Sequence, residues 1–474
     1  MKGKIIKYRY VWLAFVPFAI LCAYMMRYAC DLPVYDQWNF VSTLEKWYNG
    51  NLAFVDLWSQ HNEHRILFPR LIMLALAWLT HWNIFYELGV NLFLGVGICA
   101  IIFWQIRKTE ILFNKRSNLT YFIVSFFIFS LAQAENWLWG WQLAFFLNVF
   151  VVLLGIVFLS VPALTLRNFL GALAAGVIAS YSSANGLLFW ILGLFILGMH
   201  PMKNDTKIRW IIAWLLVATL IITSYLYGYQ KTPLHPSLFF FIKNPLQFGE
   251  YFLANLGSPF TFGRYRQIVA VVAGFFGLTT FLILLYFSYR LVRKRQMVLM
   301  AIVPWLSLSV YSIFSSGLIA VGRVGLGVDQ ALSLRYVTIS NLFWIGIFVL
   351  GMFLNIDFTK SSMGLEGAPG FWISILRNKI FRVICISAFI LLQIEIAQFP
   401  YRWARMRADI YATVRSDFQN EYYDEILVKR YVCAADIHQQ ISFLAKHRLA
   451  SFSGNGVLIN KPGDNAPVTR ALPK

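Results

Sequence analysis

Long apolar runs recur along the chain, and they fix its fold class before any motif is considered. Several approach or exceed the roughly 20 residues that an α-helix needs to cross a hydrocarbon core of about 30 Å. The chain has 474 residues, of which 59% are hydrophobic and only 13% charged, so one soluble core could not bury that much apolar surface. The runs are too long for barrel strands. The sequence therefore predicts an all-α, polytopic bundle of transmembrane helices.

The apolar runs predict about eleven membrane spans. They lie near residues 10–30, 86–106, 120–133, 142–163, 168–184, 186–200, 210–229, 267–289, 297–320, 337–356 and 381–399. A twelfth run, 66–80, is short and contains Pro69 and Arg70. If it crossed the membrane, every later basic cluster would lie outside, against the positive-inside rule. We therefore predict that this run forms a juxtamembrane or re-entrant helix on the outer face.

The formal net charge of +20 would suggest nucleic acid binding in a soluble protein. Here the basic residues cluster beside apolar runs, at 2–9, 107–116, 203–209, 290–295 and 360–382. This is the pattern of cytoplasmic loops under the positive-inside rule. We therefore predict no nucleic acid partner and an integral protein of a bacterial inner membrane. Its N-terminus is expected in the cytoplasm and its active face in the periplasm.

Two regions follow from this topology. Residues 1–399 form the predicted transmembrane domain, whose first outer loop, 31–85, carries the densest polar chemistry. Residues 400–474 form a predicted outer helical region with a loose terminal tail. Carboxylates and imidazoles at a membrane face are costly and usually mark a site of function, so we place the predicted site in the 31–85 loop.

Two aspartates of this loop are candidates for a general base. Asp36 lies in VYDQW between Tyr35 and Trp38, whose rings are able to pack on a substrate and to desolvate the carboxylate partly. Asp31 precedes Leu32 at the end of the first span. The alternative for both side chains is a turn or helix cap. Asp36 is the first choice as the base and Asp31 the second.

The segment HNEHR, residues 61–65, precedes the short apolar run and is predicted to occupy about one helical turn. Arg65 and His64 suit a phosphate group, and His61 and Glu63 suit the substrate beside it. One alternative is an interfacial helix whose polar residues meet lipid headgroups. The other is a divalent cation held by His61, Glu63 and His64, although the spacing is not that of an HExxH site. No other cofactor is predicted.

Two further outer segments contribute candidate binding residues. Arg323, Arg335 and Tyr336 bracket a glycine-rich loop at the outer face, where the positive-inside rule disfavours arginine. Lipid headgroup pairing is the alternative for the two arginines. In ENWLWGWQ, Glu135 and Gln142 are the candidate substrate-binding pair. The tryptophans of that segment are interpreted mainly as an aromatic belt at the membrane surface.

The order of these parts resembles the GT-C class of integral membrane glycosyltransferases. The resemblance rests on an acidic residue after the first span, Asp31 or Asp36, followed by the polar stretch HNEHR. It implies transfer of a sugar from a polyprenyl-phosphate carrier to a glycan or lipid acceptor at the outer face. In that class the aspartate activates the acceptor hydroxyl or coordinates a metal. The sequence lacks the paired-acid and lysine-proline signatures of the arabinosyl and mannosyl branches, so it does not identify which sugar is transferred.

Two other functions remain as alternatives. An outer-facing polysaccharide polymerase or ligase would depend on the outer arginines Arg264, Arg266, Arg323 and Arg335 more than on Asp36. A lipid-linked sugar flippase or transporter is less favoured, because its site is expected near the bilayer midplane and no inverted repeat is visible.

Overall fold

The computed structural model describes residues 12–114, 118–232, 236–237, 239–354, 379–419 and 437–452. Over these residues the chain is almost entirely helical, which confirms the predicted all-α class. The helices of the 31–85 loop and of the first span are α1 (Val16–Tyr28), α2 (Gln37–Tyr48), α3 (Phe54–Trp58) and α4 (Leu67–Thr80), with strands β1 (Gln60–His61) and β2 (His64–Arg65) between α3 and α4.

The remaining helices form the bundle and its C-terminal extension. They are α5 (Ile84–Phe113), α6 (Asn118–Ile128), α7 (Ala134–Leu138), α8 (Leu143–Leu159), α9 (Leu166–Ser180), α10 (Leu188–Met199), α11 (Asn204–Leu226), α12 (Phe240–Lys243), α13 (Pro245–Gly257), α14 (Arg266–Lys294), α15 (Leu299–Arg323), α16 (Val337–Leu354), α17 (Lys379–Gln419) and α18 (Ile437–Lys446).

Every predicted span coincides with a helix, but the helices differ in length. Six segments of the described chain are long and apolar enough to cross a membrane: Ile84–Phe113, Gly140–Leu159, Asn204–Leu226, Arg266–Lys294, Gln296–Leu326 and Leu334–Leu354. Trp12–Tyr28, Leu166–Ser180 and Ala184–Met199 are shorter apolar helices. The count of eleven therefore stays a prediction. Helix α4 has 14 residues, about 21 Å at 1.5 Å per residue, which is shorter than the hydrocarbon core.

The 31–85 loop is folded and packs against the helix bundle. Along α2, Trp38, Val41 and Leu44 are buried at a spacing of three residues, so one face of the helix lies against the bundle. Trp82, just before α5, is fully buried. Aromatic side chains of this size fix the position of the segments that carry them. Polar side chains of the loop are therefore held in defined places.

The C-terminal region begins within a helix. Helix α17 is 41 residues long and contains Pro400, so the predicted boundary at 399/400 falls inside it. Helix α18 lies against the 31–85 loop, where the rings of His447 and Tyr48 are 4.5 Å apart. The amide of Ala450 donates to the His81 carbonyl. The N-terminal basic cluster, residues 420–436 and the predicted loose tail lie outside the described residues.

Candidate active site

The HNEHR segment forms a β-hairpin, so its predicted helical turn is wrong. Strands β1 and β2 pair antiparallel, with Gln60 opposite Arg65 and His61 opposite His64. Asn62 occupies the left-handed region at the turn, with φ of 50°, which asparagine tolerates better than most residues. Partners in register project to one face of a ribbon, and the next residue projects to the other. His61 and His64 therefore share a face that Arg65 does not.

A cavity of about 610 Å³ opens between the 31–85 loop and the bundle. Most of the predicted site residues line it, although they come from five separate segments of the chain. They are Asp36, His61, Glu63, His64, Gln142, Arg323, Arg335 and Tyr336. Asp31, Arg65 and Glu135 do not line it.

The two aspartates have different surroundings. Asp36 precedes helix α2 but its side chain makes no capping hydrogen bond; its carboxylate lines the cavity with about a third of the side chain exposed. Asp31 Oδ1 accepts the backbone N–H of Ile84 at 2.8 Å, at the start of α5. The structure thus places Asp31 at a helix terminus, as in its capping alternative, and leaves Asp36 facing the cavity.

A buried network holds the turn that carries Asp36. Gln37 Oε1 accepts the Val34 N–H at 3.1 Å, and Gln37 Nε2 donates to Glu87 Oε2 at 2.7 Å. Trp82 Nε1 donates to the other oxygen of Glu87 at 2.9 Å. These groups fix a turn in which Tyr35 has φ of 46°, an uncommon conformation for a bulky residue. The carboxylate of Asp36 is thereby held toward the cavity.

His61 lies beside Asp36 in the cavity wall. Its Nε2 is 3.6 Å from Asp36 Oδ2, and its ring packs edge-on against Trp141 with centroids 4.8 Å apart. The imidazole is nearly buried, whereas the carboxylate is partly open to the cavity. The separation is longer than a hydrogen bond, and the same Nε2 lies 3.2 Å from Asn62 Nδ2, so His61 is a close neighbour of the carboxylate in the cavity wall.

A second ionic group forms around Glu63. Its Oε1 accepts a hydrogen bond from Arg323 Nη2 and lies 3.6 Å from His64 Nε2. Burial alone would raise the pKa of Glu63, but the charges of His64 and Arg323 outweigh it and lower that pKa to about 2. Burial lowers the pKa of His64. His64 Nδ1 accepts the Ala184 N–H at 3.1 Å, so the proton of the neutral ring lies on Nε2, toward Glu63.

The Glu63 pair predicts loss of stability in acid. The pKa of Glu63 is about 2 in the folded protein against an ordinary 4.5, so its stabilising contribution is present above pH 4.5 and is lost as the pH falls toward 2. We expect the free energy of unfolding of the detergent-solubilised protein to fall over this window. The fall should be smaller in Glu63→Gln, which cannot ionise there. Equal falls, measured by circular dichroism, would show that Glu63 is not the linked group.

Arg335 is held from two sides. Its Nη1 lies 3.7 Å from Glu135 Oε1, and its guanidinium is 5.4 Å from the ring centre of Tyr336. The Tyr336 hydroxyl accepts from Gln330 Nε2 at 3.0 Å. Glu135 therefore lies behind Arg335 as its ionic partner, and the proposed substrate-binding pair of Glu135 and Gln142 is not formed in the cavity wall.

Arg65 is directed away from the cavity. Its guanidinium donates to the backbone carbonyls of Tyr225 at 2.7 Å, Trp58 at 3.0 Å and Tyr227. The side chain is 5% exposed, so its donors are used inside the protein. Arg65 therefore does not form the predicted phosphate contact. Its hydrogen bonds connect the hairpin to the end of α11.

The tryptophans of ENWLWGWQ are interior residues. Trp137, Trp139 and Trp141 are all less than 9% exposed, so the aromatic-belt interpretation is wrong for them. Trp139 and Trp141 line the cavity, and Trp139 Nε1 donates to the Val34 carbonyl at 3.1 Å. Hydropathy gives the depth of an aromatic residue in the membrane but not the face on which it lies.

Sequence reasoning did not single out several cavity residues. These residues are Tyr225 at the end of α11, Tyr229 and Lys231 in the segment that follows it, and Asn185. The Tyr225 hydroxyl donates to the Glu63 carbonyl at 2.9 Å. The only signal for Tyr225 was its position at the outer end of a predicted span.

The acidic and histidine side chains of the HNEHR hairpin and of Asp36 are paired with one another in the cavity wall. Within the described ranges, no group of three or more His, Cys, Asp or Glu side chains is arranged to hold a metal ion. His64 has its Nδ1 lone pair engaged by the Ala184 amide. The arrangement does not match the alternative in which His61, Glu63 and His64 bind a divalent cation.

Comparison with protein-family models, curated proteins and solved structures gives no match. The function is therefore inferred from the geometry and chemistry of the cavity.

Proposed function

We propose that this protein is an integral membrane glycosyltransferase that moves a sugar from a polyprenyl-phosphate carrier to a surface glycan or lipid acceptor. One observation carries the proposal. A single cavity joins a carboxylate that caps no helix, Asp36, with the guanidinium groups of Arg323 and Arg335. Displacement of a phosphate by a hydroxyl requires this combination of a base and cations.

Asp36 is the proposed general base. In one inverting step it takes the proton of the acceptor hydroxyl as the oxygen forms its bond to the anomeric carbon. The bond from that carbon to the phosphate oxygen breaks, and the carrier phosphate leaves with the electron pair. His61 lies beside the carboxylate, 3.6 Å away. The step needs no further co-reactant.

Arg335 is the proposed main phosphate ligand. Its side chain is about a third exposed and its ionic contact with Glu135, at 3.7 Å, is long. Arg323 is less exposed and is already hydrogen-bonded to Glu63. A planar guanidinium offers paired donors to phosphate oxygens. A donor phosphate would therefore bind Arg335 first. It would bind Arg323 only by displacing Glu63 from that arginine.

The aromatic and apolar residues of the cavity suit a sugar and its lipid. Trp139 and Trp141 contribute aromatic side chains to the lining, and Gln142 lies next to them in the chain and in the cavity wall. The apolar side chains of Leu226, Leu318 and Ile319 belong to helices of membrane-spanning length. We propose that the polyprenyl tail leaves the cavity between these helices.

The proposed setting completes the assignment. Eleven spans with a cytoplasmic N-terminus would place the cavity on the periplasmic side of a bacterial inner membrane, where lipid-linked donors and surface glycans meet. Membrane lipids as further partners stay a prediction.

The polymerase or ligase alternative depends on four outer arginines. Of these, Arg323 and Arg335 line the cavity, whereas Arg264 and Arg266 do not. Arg266 lies 4.6 Å from the ring centre of Phe399 instead. This division favours the transferase, because its chemistry needs only the two cavity arginines together with Asp36.

Donor binding tests the proposal. Purified protein in lipid nanodiscs should bind a polyprenyl-phosphate sugar, and Arg335→Gln should weaken binding about 10- to 100-fold through loss of charge-assisted hydrogen bonds. Arg290→Gln is the matched control, since that exposed arginine on α14 contacts Tyr286 outside the cavity and the same charge is removed. No binding by the wild type, or equal weakening in both variants, would contradict the proposal.

A further inference from the structure

A second cavity, of about 850 Å³, lies on the outside of the bundle between α1, α6 and α17. It shares no lining residue with the candidate active site. Its walls are apolar: Val16 and Ile20 come from α1, Phe122 and Phe126 from α6, and Ile394 from α17. All three helices coincide with predicted spans, so the medium outside this groove is expected to be lipid.

One end of the groove is polar. The ring of Tyr401 lies 5.2 Å from that of Tyr24 and 6.1 Å from that of Tyr28, and Arg402 follows in the lining. Nearby, Arg266 lies 4.6 Å from the ring centre of Phe399, one turn before Arg402 on α17. Neither arginine forms an ion pair with an acidic residue of the described chain. The groove thus ends at Arg402, which has no acidic partner among the described residues.

Along α17 the groove is about as long as half of a hydrocarbon core is thick. From Ile390 to Arg402, the lining residues of α17 cover about 18 Å of helix, against about 15 Å for half of a hydrocarbon core. Tyrosine and arginine are common where hydrocarbon meets headgroups. The dimensions and the distribution of charge therefore suit a chain from a single leaflet with an anionic headgroup.

The polar end lies on the same side of the bundle as the candidate active site. Five residues beyond Arg402, Arg407 Nη2 donates to the Leu138 carbonyl at 2.7 Å. Leu138 adjoins Trp139, which lines the active-site cavity. The headgroup end of the groove and the mouth of the cavity thus face the same leaflet.

We propose that this groove binds one chain of an anionic phospholipid from that leaflet, with the phosphate group at Arg402. The bound lipid would join the first helix, α1, to the C-terminal helix α17. The donor carrier does not require this groove, because its phosphate is assigned to Arg335 in the other cavity. The proposal is therefore independent of the glycosyltransferase assignment.

Native mass spectrometry of the purified full chain, titrated with phosphatidylglycerol or phosphatidylcholine, tests this site. We expect one phosphatidylglycerol to bind about fivefold more tightly than phosphatidylcholine, the effect of one arginine near a headgroup. Arg402→Gln should remove this preference. Ile394→Trp should fill the groove and displace the lipid, whereas Leu391→Trp, an equally exposed position of α17 outside the lining, should retain it.

Three results would overturn the proposal. They are equal binding of the two phospholipids by the wild type, retention of the lipid by Ile394→Trp, and displacement of phosphatidylglycerol from the wild type by polyprenyl phosphate, which would assign the groove to the carrier. Arg402→Gln changes an exposed side chain, so it provides a test even where Ile394→Trp does not fold.

Discussion

Replacement of Asp36 by asparagine is expected to lower sugar transfer by about 10²- to 10⁴-fold, the usual contribution of a general base. The amide keeps the shape of the side chain but cannot accept the acceptor proton. Because Asp36 makes no capping hydrogen bond, the folded protein should be retained. Turnover is measured with purified protein and a polyprenyl-phosphate sugar, at equal amounts of monodisperse protein.

Asp31→Asn is the matched control for this change. Asp31 accepts the amide of Ile84 at the start of α5, and asparagine offers an oxygen that accepts the same hydrogen bond. Asp31→Asn is therefore expected to keep the stability of the folded protein and to leave turnover within a few-fold of wild type. If Asp31→Asn loses turnover and Asp36→Asn keeps it, the two aspartates have been assigned the wrong way round.

Gly140→Ala is expected to damage both stability and turnover although Gly140 carries no reacting group. A Cβ atom there would lie 2.1 Å from Glu87 Oε2, 2.8 Å from Glu87 Cβ and 2.9 Å from Gln37 Nε2. Glu87 and Gln37 are both fully buried and hydrogen-bonded, so neither side chain has room to withdraw. Overpacking of this kind costs about 1–3 kcal/mol, and a shift of about 1 Å in the Asp36 turn would lower turnover about 10²-fold.

Gly198→Ala provides the control for Gly140→Ala. Gly198 lies in α10, and a Cβ atom there meets nothing within 4 Å. The thermal unfolding midpoint of Gly198→Ala should equal that of the wild type or be slightly higher, because alanine has a higher helix propensity than glycine. Equal midpoints and turnover in Gly140→Ala and wild type would show that the Glu87 network does not hold the Asp36 turn.

The bundle was predictable from the sequence because apolar runs report helices directly. All eleven predicted spans coincide with helices, and the 66–80 run forms a helix too short to cross the hydrocarbon core unaided. The number of helices that cross was not settled in this way, since Leu166–Ser180 and Ala184–Met199 are short. Length alone does not determine how a short helix is placed within a bundle.

The sequence predicted which residues line the site better than it predicted the contacts between them. Asp36, His61, Glu63 and His64 come from one polar segment, and their proximity to the cavity follows from that. The hairpin was missed because each strand has only two residues, too few for a period-2 pattern. That error also misplaced Arg65, since the pairing register directs its side chain away from His64.

Long-range contacts account for the other differences. The sequence could not show that Glu63 pairs with Arg323, 260 residues away, or that Glu135 lies behind Arg335. Nor could it show that Asp31 accepts an amide of α5 whereas Asp36 caps nothing. These contacts depend on how the 31–85 loop packs on the bundle, and the local preferences of the sequence do not encode that packing.

The most direct test of the glycosyltransferase assignment is mass spectrometry of lipid-linked sugars and surface glycans in the native host. Strains would carry wild type, a deletion, or Asp36→Asn at equal membrane abundance. We expect the deletion and Asp36→Asn to lack the same sugar from a surface glycan or lipid and to accumulate the polyprenyl-phosphate-linked sugar. Glycans that keep every sugar but change in chain length, or an unchanged pool of the lipid-linked sugar, would contradict the assignment.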